Sequence, residues 1–179
     1  MITISPQQLK RIMPNASLAN TELYAPLLTS HMLKWHIDTY EQVTAFIANV
    51  GHESGELKWV EEIASGAAYE GRRDLGNTEP GDGKRYKGRG LIQLTGRLNY
   101  VLIGFMLEQD FINNPEKLKE PKFASESACA FWWNNYLDRK ATSETQFRQV
   151  VKIINGGYNG MDDRSKLYAR ARDVLAEQK

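Results

Sequence analysis

A mainly α fold in a single domain spanning 1–179, interrupted by one long glycine-rich loop, is what this sequence predicts. Three observations carry the prediction. Apolar residues recur at intervals of three and four along most segments, the period of a helix with one buried face. Ser5, Thr39 and Ser143 stand where side chains close helix N-termini. The chain has 179 residues, 41% apolar and 25% charged, enough for one hydrophobic core and wrong for disorder. No internal repeat, low-complexity tract or linker divides it.

Ser5-Pro6 reads as a cap followed by proline at the first helical position, with Leu9, Ile12 and Met13 as a short apolar face before Pro14 stops it. A second helix is expected over 20–36, with Pro26 placed to split it. The third starts at Thr39, which has capping-box spacing to Gln42, and carries the stripe Val43, Phe46, Ile47 and Val50. Residues 65–90 hold seven glycines and no helical stripe, a loop of the length that is usually functional or disordered. Helices resume at 96–109 after Thr95, at 125–138 through Cys129, Trp132 and Trp133, and at 143–154 from Ser143 and Gln146. Gly156-Gly157 ends that one, and a last helix is expected over 163–177.

Lysine and arginine total 23 against 22 acidic residues, a net charge of +1, so charge exerts no overall pull toward nucleic acid or an anionic membrane. No segment approaches the ~20 apolar residues of a membrane span, and the N-terminus lacks the basic-then-apolar pattern of a signal peptide. A protein folding in a reducing compartment is expected, and its one cysteine excludes an internal disulfide framework. His52 opens a His-Glu-Ser-Gly-Glu run that superficially matches a zinc-protease helix, but Glu56 stands where the second histidine belongs. His31, His36, His52 and Cys129 show no ligand spacing, so no metal or other cofactor is expected. Cys129, Trp132 and Trp133 read as core. The glycine-rich loop lacks the glycine spacing and the Lys-Ser/Thr pair of a phosphate cradle.

Glu53 is the carboxylate with chemical promise. It follows Val50 by three residues and Phe46 by seven, extending the apolar stripe at the end of its helix. Burial and the partial negative charge of a helix C-terminus both disfavour its anion, the setting of a general acid working near neutral pH. Glycoside hydrolysis pairs such a carboxyl with a second one, roughly 6.5–9.5 Å away in an inverting enzyme. Glu62 is nine residues on. Along an unbroken helix that is about 13 Å of rise and the opposite face, so the pair requires a bend, and Gly55 is the candidate. Glu70, on the glycine-rich loop, is also available. From Arg72 to Arg97 there are seven basic residues against three acidic, with Tyr86 among them, suited to a nucleic-acid backbone, an anionic glycan or plain solvation.

Three blocks, Ala45 to Gly55 (AFIANVGHESG), Tyr86 to Tyr100 (YKGRGLIQLTGRLNY) and Ile153 to Gly160 (IINGGYNG), resemble glycoside hydrolase family 19 in order and spacing. Within it they are most similar to short phage and prophage endolysins. The resemblance implies a lysozyme-like helical fold, one catalytic domain without a separate wall-binding domain, and an inverting mechanism. Glu53 matches the general acid and Glu62 the general base of the endolysin branch, with Glu70 the competitor on the plant alignment. Thr95 matches a residue that positions the water. His52, Tyr86, Gln93, Asn155 and Arg164 match substrate-binding positions, and the glycine-rich loop becomes a cleft wall whose arginines meet the acids of peptidoglycan. Plant-type cysteines are absent, and Asn159 replaces an acidic residue of the plant enzymes.

The function so implied is a muralytic glycosidase cutting the β-1,4 bond between N-acetylmuramic acid and N-acetylglucosamine. A chitinase acting on soluble chito-oligosaccharides and a non-catalytic wall-binding relic are the alternatives. Nucleic acid and stable membrane association are not expected. The protein would be a monomer held in the cytoplasm until a separate holin-type protein permeabilises the membrane, and would then act on the wall from the periplasm.

Overall fold

The computed structural model describes residues 2–179. It is mainly α. Eight α-helices follow in order among the described residues: α1 (Pro6–Ile12), α2 (Leu18–Lys34), α3 (Tyr40–Glu53), α4 (Asp82–Arg85), α5 (Arg97–Leu107), α6 (Pro121–Asn134), α7 (Phe147–Asn155) and α8 (Met161–Val174). Extended pairing is confined there to the isolated bridges Glu61–Arg89 and Arg89–Leu94.

The capping boxes expected at Ser5 and Thr39 both form: each hydroxyl accepts from the backbone of Gln8 or Gln42, whose side chain returns the bond. Val43, Phe46, Ile47 and Val50 are fully buried, contributing about 1.5–3 kcal/mol each. They set α3 as the central helix, packed along α8, while α2 lies along α6 and α1 touches both α2 and α8. Phe46 meets Trp132 edge-on at 5.4 Å, and Phe147 stacks on Tyr168 at 4.1 Å.

Four expectations are corrected. Pro26 does not split α2, because it faces solvent, where water satisfies the carbonyl that a proline leaves unbonded. The sixth helix starts at Pro121 and stops at Asn134, four residues earlier at each end than 125–138, since Pro121 is itself the first helical residue. Ser143 closes no helix with its side chain: its hydroxyl pairs with Thr145, the Thr142 hydroxyl donates to the Gln146 side-chain oxygen Oε1, and a 3-10 turn leads into α7. Trp132 is core as read, but Trp133 is 46% exposed and leans on Trp35.

Candidate active site

The end of α3 is shaped by one serine. Ser54 Oγ donates to the Val50 carbonyl at 2.6 Å and accepts from the Leu57 amide at 2.8 Å, so the helix is closed by its own side chain. Gly55, Glu56 and Leu57 then take φ of +57°, +58° and +66°. The bend anticipated at Gly55 is thus three residues long, and its two non-glycine members cost roughly 1–2 kcal/mol each. Ties from the N-terminal segment hold it: Glu56 accepts from the Asn15 amide at 2.6 Å and from its Nδ2 at 2.8 Å, and Asn20 Nδ2 donates to the Leu57 carbonyl at 2.8 Å.

Two consecutive residues of α8 grip the last two of α3. Arg164 Nη2 donates to Glu53 Oε1, and its Nη1 donates to Asn49 Oδ1 at 2.6 Å. The Arg164 side chain is 1% exposed and that of Glu53 19%. His52 Nδ1 bonds Asp163 Oδ2 at 2.7 Å. Gly160, the α8 N-cap at φ +70°, lies against the imidazole so closely that a Cβ there would sit 2.2 Å from His52 Cε1. Glu53 therefore has one oxygen fixed by a buried guanidinium and the other, Oε2, without a hydrogen bond among the described residues.

A second cluster forms around Gly88. A Cβ at Gly88 would come within 2.8 Å of Glu62 Oε2, 3.0 Å of Gln93 Oε1 and 3.3 Å of Thr95 Oγ1. Glu62 Oε2 accepts from the Tyr69 hydroxyl and the Gly88 amide, both at 3.1 Å, while Oε1 is buried with no partner. Gln93 has φ +55°, and its carbonyl accepts from Thr95 Oγ1 at 3.0 Å. With its proton committed there, the Thr95 hydroxyl has lone pairs free to accept.

The structure thus gathers His52, Glu53 and Arg164 in one group and Glu62, Gln93 and Thr95 in another, joined by the strap 54–61. Asn155 ends α7 with its Nδ2 buried and without a partner among the described residues. Other sequence readings are corrected. Tyr86 is 1% exposed, packed at 5.1 Å on Tyr100 and at 5.0 Å beneath the Arg97 guanidinium, so it is a core residue that no substrate can touch. Arg164 is likewise too buried to meet substrate and acts on Glu53 instead. Glu70, the alternative base, accepts one bond on each oxygen, from the Gly81 amide at 2.6 Å and the Gly83 amide at 2.9 Å. The loop arginines are mostly engaged: Arg72 with Asp74, Arg97 with Asp82, Arg89 with Glu61 and Glu116. Arg73 and Lys84 alone among the 72–97 cations have neither an ion pair nor a side-chain hydrogen bond among the described residues, and both are exposed.

The sequence reading missed Tyr69, Asn49 and Trp59. Trp59 is 42% exposed on the strap, beside Gly55 and under Lys58 at 4.7 Å. Its position six residues past Glu53 was the available signal. Two concavities, about 650 Å³ at Ile4, Pro26 and Leu33 and about 400 Å³ between α7 and α8, are lined by none of the residues of either cluster. The Cys129 thiol is buried, which pushes it well above its usual range and makes it an inert core group.

Comparison with known proteins bears on this arrangement. The Chitinase class I family profile matches residues 39–147. A glycosyl hydrolase family 19 domain-containing protein of Haemophilus influenzae is 36% identical over 107 residues, covering 60% of this chain and 51% of that one. Endochitinase CHI of Arabidopsis thaliana is 31% identical over 120 residues, covering 64% and 42%. The chain thus spans about half the length of the curated relatives it matches. In fold it is similar to a class IV family 19 chitinase from Zea mays, with a TM-score of 0.76 at 23% identity over 97% of this chain and 92% of that one. The Streptomyces griseus chitinase C superposes with a TM-score of 0.73 at 22% identity, over 97% and 92%. By the extent of the profile match, across α3, the strap, the glycine-rich loop, α5 and α6, this chain belongs to glycoside hydrolase family 19, the class I chitinase family.

Proposed function

We propose that the protein is a glycosidase that cuts peptidoglycan with inversion, at the β-1,4 bond between N-acetylmuramic acid and N-acetylglucosamine. The observation that carries this reading is the unequal treatment of two carboxylates. Glu53 keeps Oε2 without a hydrogen bond beside a buried arginine, and Glu62, grouped with Thr95 around Gly88, keeps Oε1 without one. Glu53 Oε2 gives its proton to the glycosidic oxygen as the C1–O bond breaks. Water attacks C1 from the opposite face, one proton accepted by the Glu62 carboxylate and the other hydrogen-bonded to Thr95 Oγ1. Exchange with solvent restores both carboxyls. Gln93 suits the hydroxyl and N-acetyl groups of the sugars, and Asn155 joins it only once its buried amide nitrogen is uncovered.

The exposed Arg73 and Lys84 favour an anionic glycan, whose lactyl and stem-peptide acids they would meet. A second reading, hydrolysis of soluble chito-oligosaccharides, is favoured by the relatives, several of which are named as endochitinases. As a wall-degrading enzyme the protein would act as a monomer, reaching the periplasm through a membrane opened by a separate holin-type protein. The test is mass spectrometry of peptidoglycan and of chitohexaose digested in oxygen-18 water. Label at a new N-acetylmuramic acid reducing end supports the first reading, and label only in the chitin fragments supports the second. Retained hydrolysis by a folded Glu53→Gln variant would sink the assignment of the acid.

A further inference from the structure

The two oxygens of Glu62 stand in different surroundings. Oε2 takes two donors, the Tyr69 hydroxyl and the Gly88 amide, while Oε1 is buried and takes none. A carboxylate can accept about four hydrogen bonds, so the asymmetry is imposed by the groups around it. The Gly88 amide cannot move away, because the Glu62 amide donates in turn to the Gly88 carbonyl at 2.9 Å. The Tyr69 hydroxyl is on the glycine-rich loop, and that loop is clamped at Tyr69 itself and at the residue after it. The Tyr69 carbonyl accepts from Asn77 Nδ2 at 2.8 Å, and fully buried Asn77 accepts the Arg97 amide at 2.8 Å. The next residue, Glu70, is anchored by the Gly81 and Gly83 amides. Burial and the Glu62 carboxylate both push the Tyr69 phenol above its usual range, so it stays a donor.

We propose that Tyr69 is a positioning residue for the reaction: its hydroxyl, together with the Gly88 amide, fixes the Glu62 carboxylate in the orientation from which it takes the proton of the attacking water. This rests on the reading of Glu62 as the general base. A single amide donor leaves the carboxylate free to turn about its last torsion and exchange its oxygens. The second donor, approaching Oε2 from the loop, removes that freedom. It also gives the glycine-rich loop a task in the chemistry and Glu70 a place in it, as the anchor of Tyr69 rather than as a base.

The test is Tyr69→Phe, which deletes one oxygen and keeps the carbonyl bond to Asn77. On whichever of peptidoglycan or chitohexaose the wild type hydrolyses, kcat falls about 10- to 100-fold and KM stays within about twofold. An unchanged kcat, or a loss confined to KM, overturns the proposal. A second measurement does not depend on turnover. With carbon-13-labelled tyrosine, the resonance missing in Tyr69→Phe is Tyr69, and its titration moves to lower pH in Glu62→Gln. A titration indifferent to Glu62 also overturns the proposal. A wild type inactive on both glycans overturns the proposed function itself, a result distinct from an active wild type with an unaffected Phe variant.

Discussion

Replacing Glu53 by alanine should destabilise this protein, although removal of an active-site carboxylate often relieves strain and does the reverse. The reason is Arg164. Its side chain is 1% exposed, and among the described residues its ionic partner is Glu53 alone, with neutral Asn49 taking the other terminal nitrogen. Glu53→Ala leaves a buried guanidinium without a counter-charge, a loss of about 3–5 kcal/mol for a broken buried pair. For a chain of this size that lowers Tm by about 6–20 °C. Glu53→Gln keeps an oxygen for Nη2 and loses only the charge, so it should be less destabilised, by about 1–2 kcal/mol. Both variants should be inactive. The assay is urea unfolding followed by circular dichroism, with a common slope fitted to wild type, both variants and Glu53→Ala/Arg164→Met. The double variant, with no stranded charge, should recover part of the loss. A Glu53→Ala protein as stable as the wild type or more so would refute the reasoning, and with it the claim that Arg164 serves Glu53 rather than substrate.

Further expectations follow from individual contacts. Gly160→Ala must move the His52 ring and should cost about 1–3 kcal/mol of overpacking beyond the roughly 1–2 kcal/mol of left-handed strain. Gly156→Ala, also left-handed but facing open space, should show the strain alone, so equal Tm losses would contradict the packing. Glu70→Ala frees the loop and should reduce hydrolysis without abolishing it, whereas Glu62→Ala should abolish it and be partly rescued by azide. Rescue of the Glu70 variant instead would exchange the two roles. Arg97 beside Asp82 holds that carboxyl below its usual range, so its stabilisation is complete above about pH 4, the unfolded value, and is lost as pH falls further. Asp82→Asn should therefore be less stable than wild type at pH 7 and lose less between pH 4 and 2, measured by Tm at each pH.

Much of the fold was legible because local and long-range signals agree in α3. A capping box starts it, a fully buried stripe runs along it, and both chemically promising residues, His52 and Glu53, fall at its end. The bend between Glu53 and Glu62 followed from helix geometry alone, which ruled out a straight connection. What could not be read was set by contacts distant in sequence. Arg164 lies on a polar helix, and nothing local says that its side chain turns inward to Asn49 and Glu53, more than a hundred residues away. Tyr86 sat among cations and read as a cleft residue, while its burial comes from Tyr100 and Arg97 across the loop. Tyr69 carried no signal, since a loop without period gives no rule for which side chain returns to the site. The capping box at Ser143 failed because Thr142 competed for the Gln146 side chain.

The grip of α8 on the end of α3 also bears on how this family is cut into modules. The stretch that matches the family profile, 39–147, holds Glu53, Glu62 and Thr95. It stops short of Asp163 and Arg164 and begins after Asn15 and Asn20. A fragment excised at those borders, or grafted into a chimera, would carry both carboxylates while leaving behind the cation that faces one and the ties that hold the strap between them. The heritable unit of similarity and the operating unit of the catalyst therefore have different edges. Shuffling experiments on this chain should place their crossovers before Asn15 and after α8.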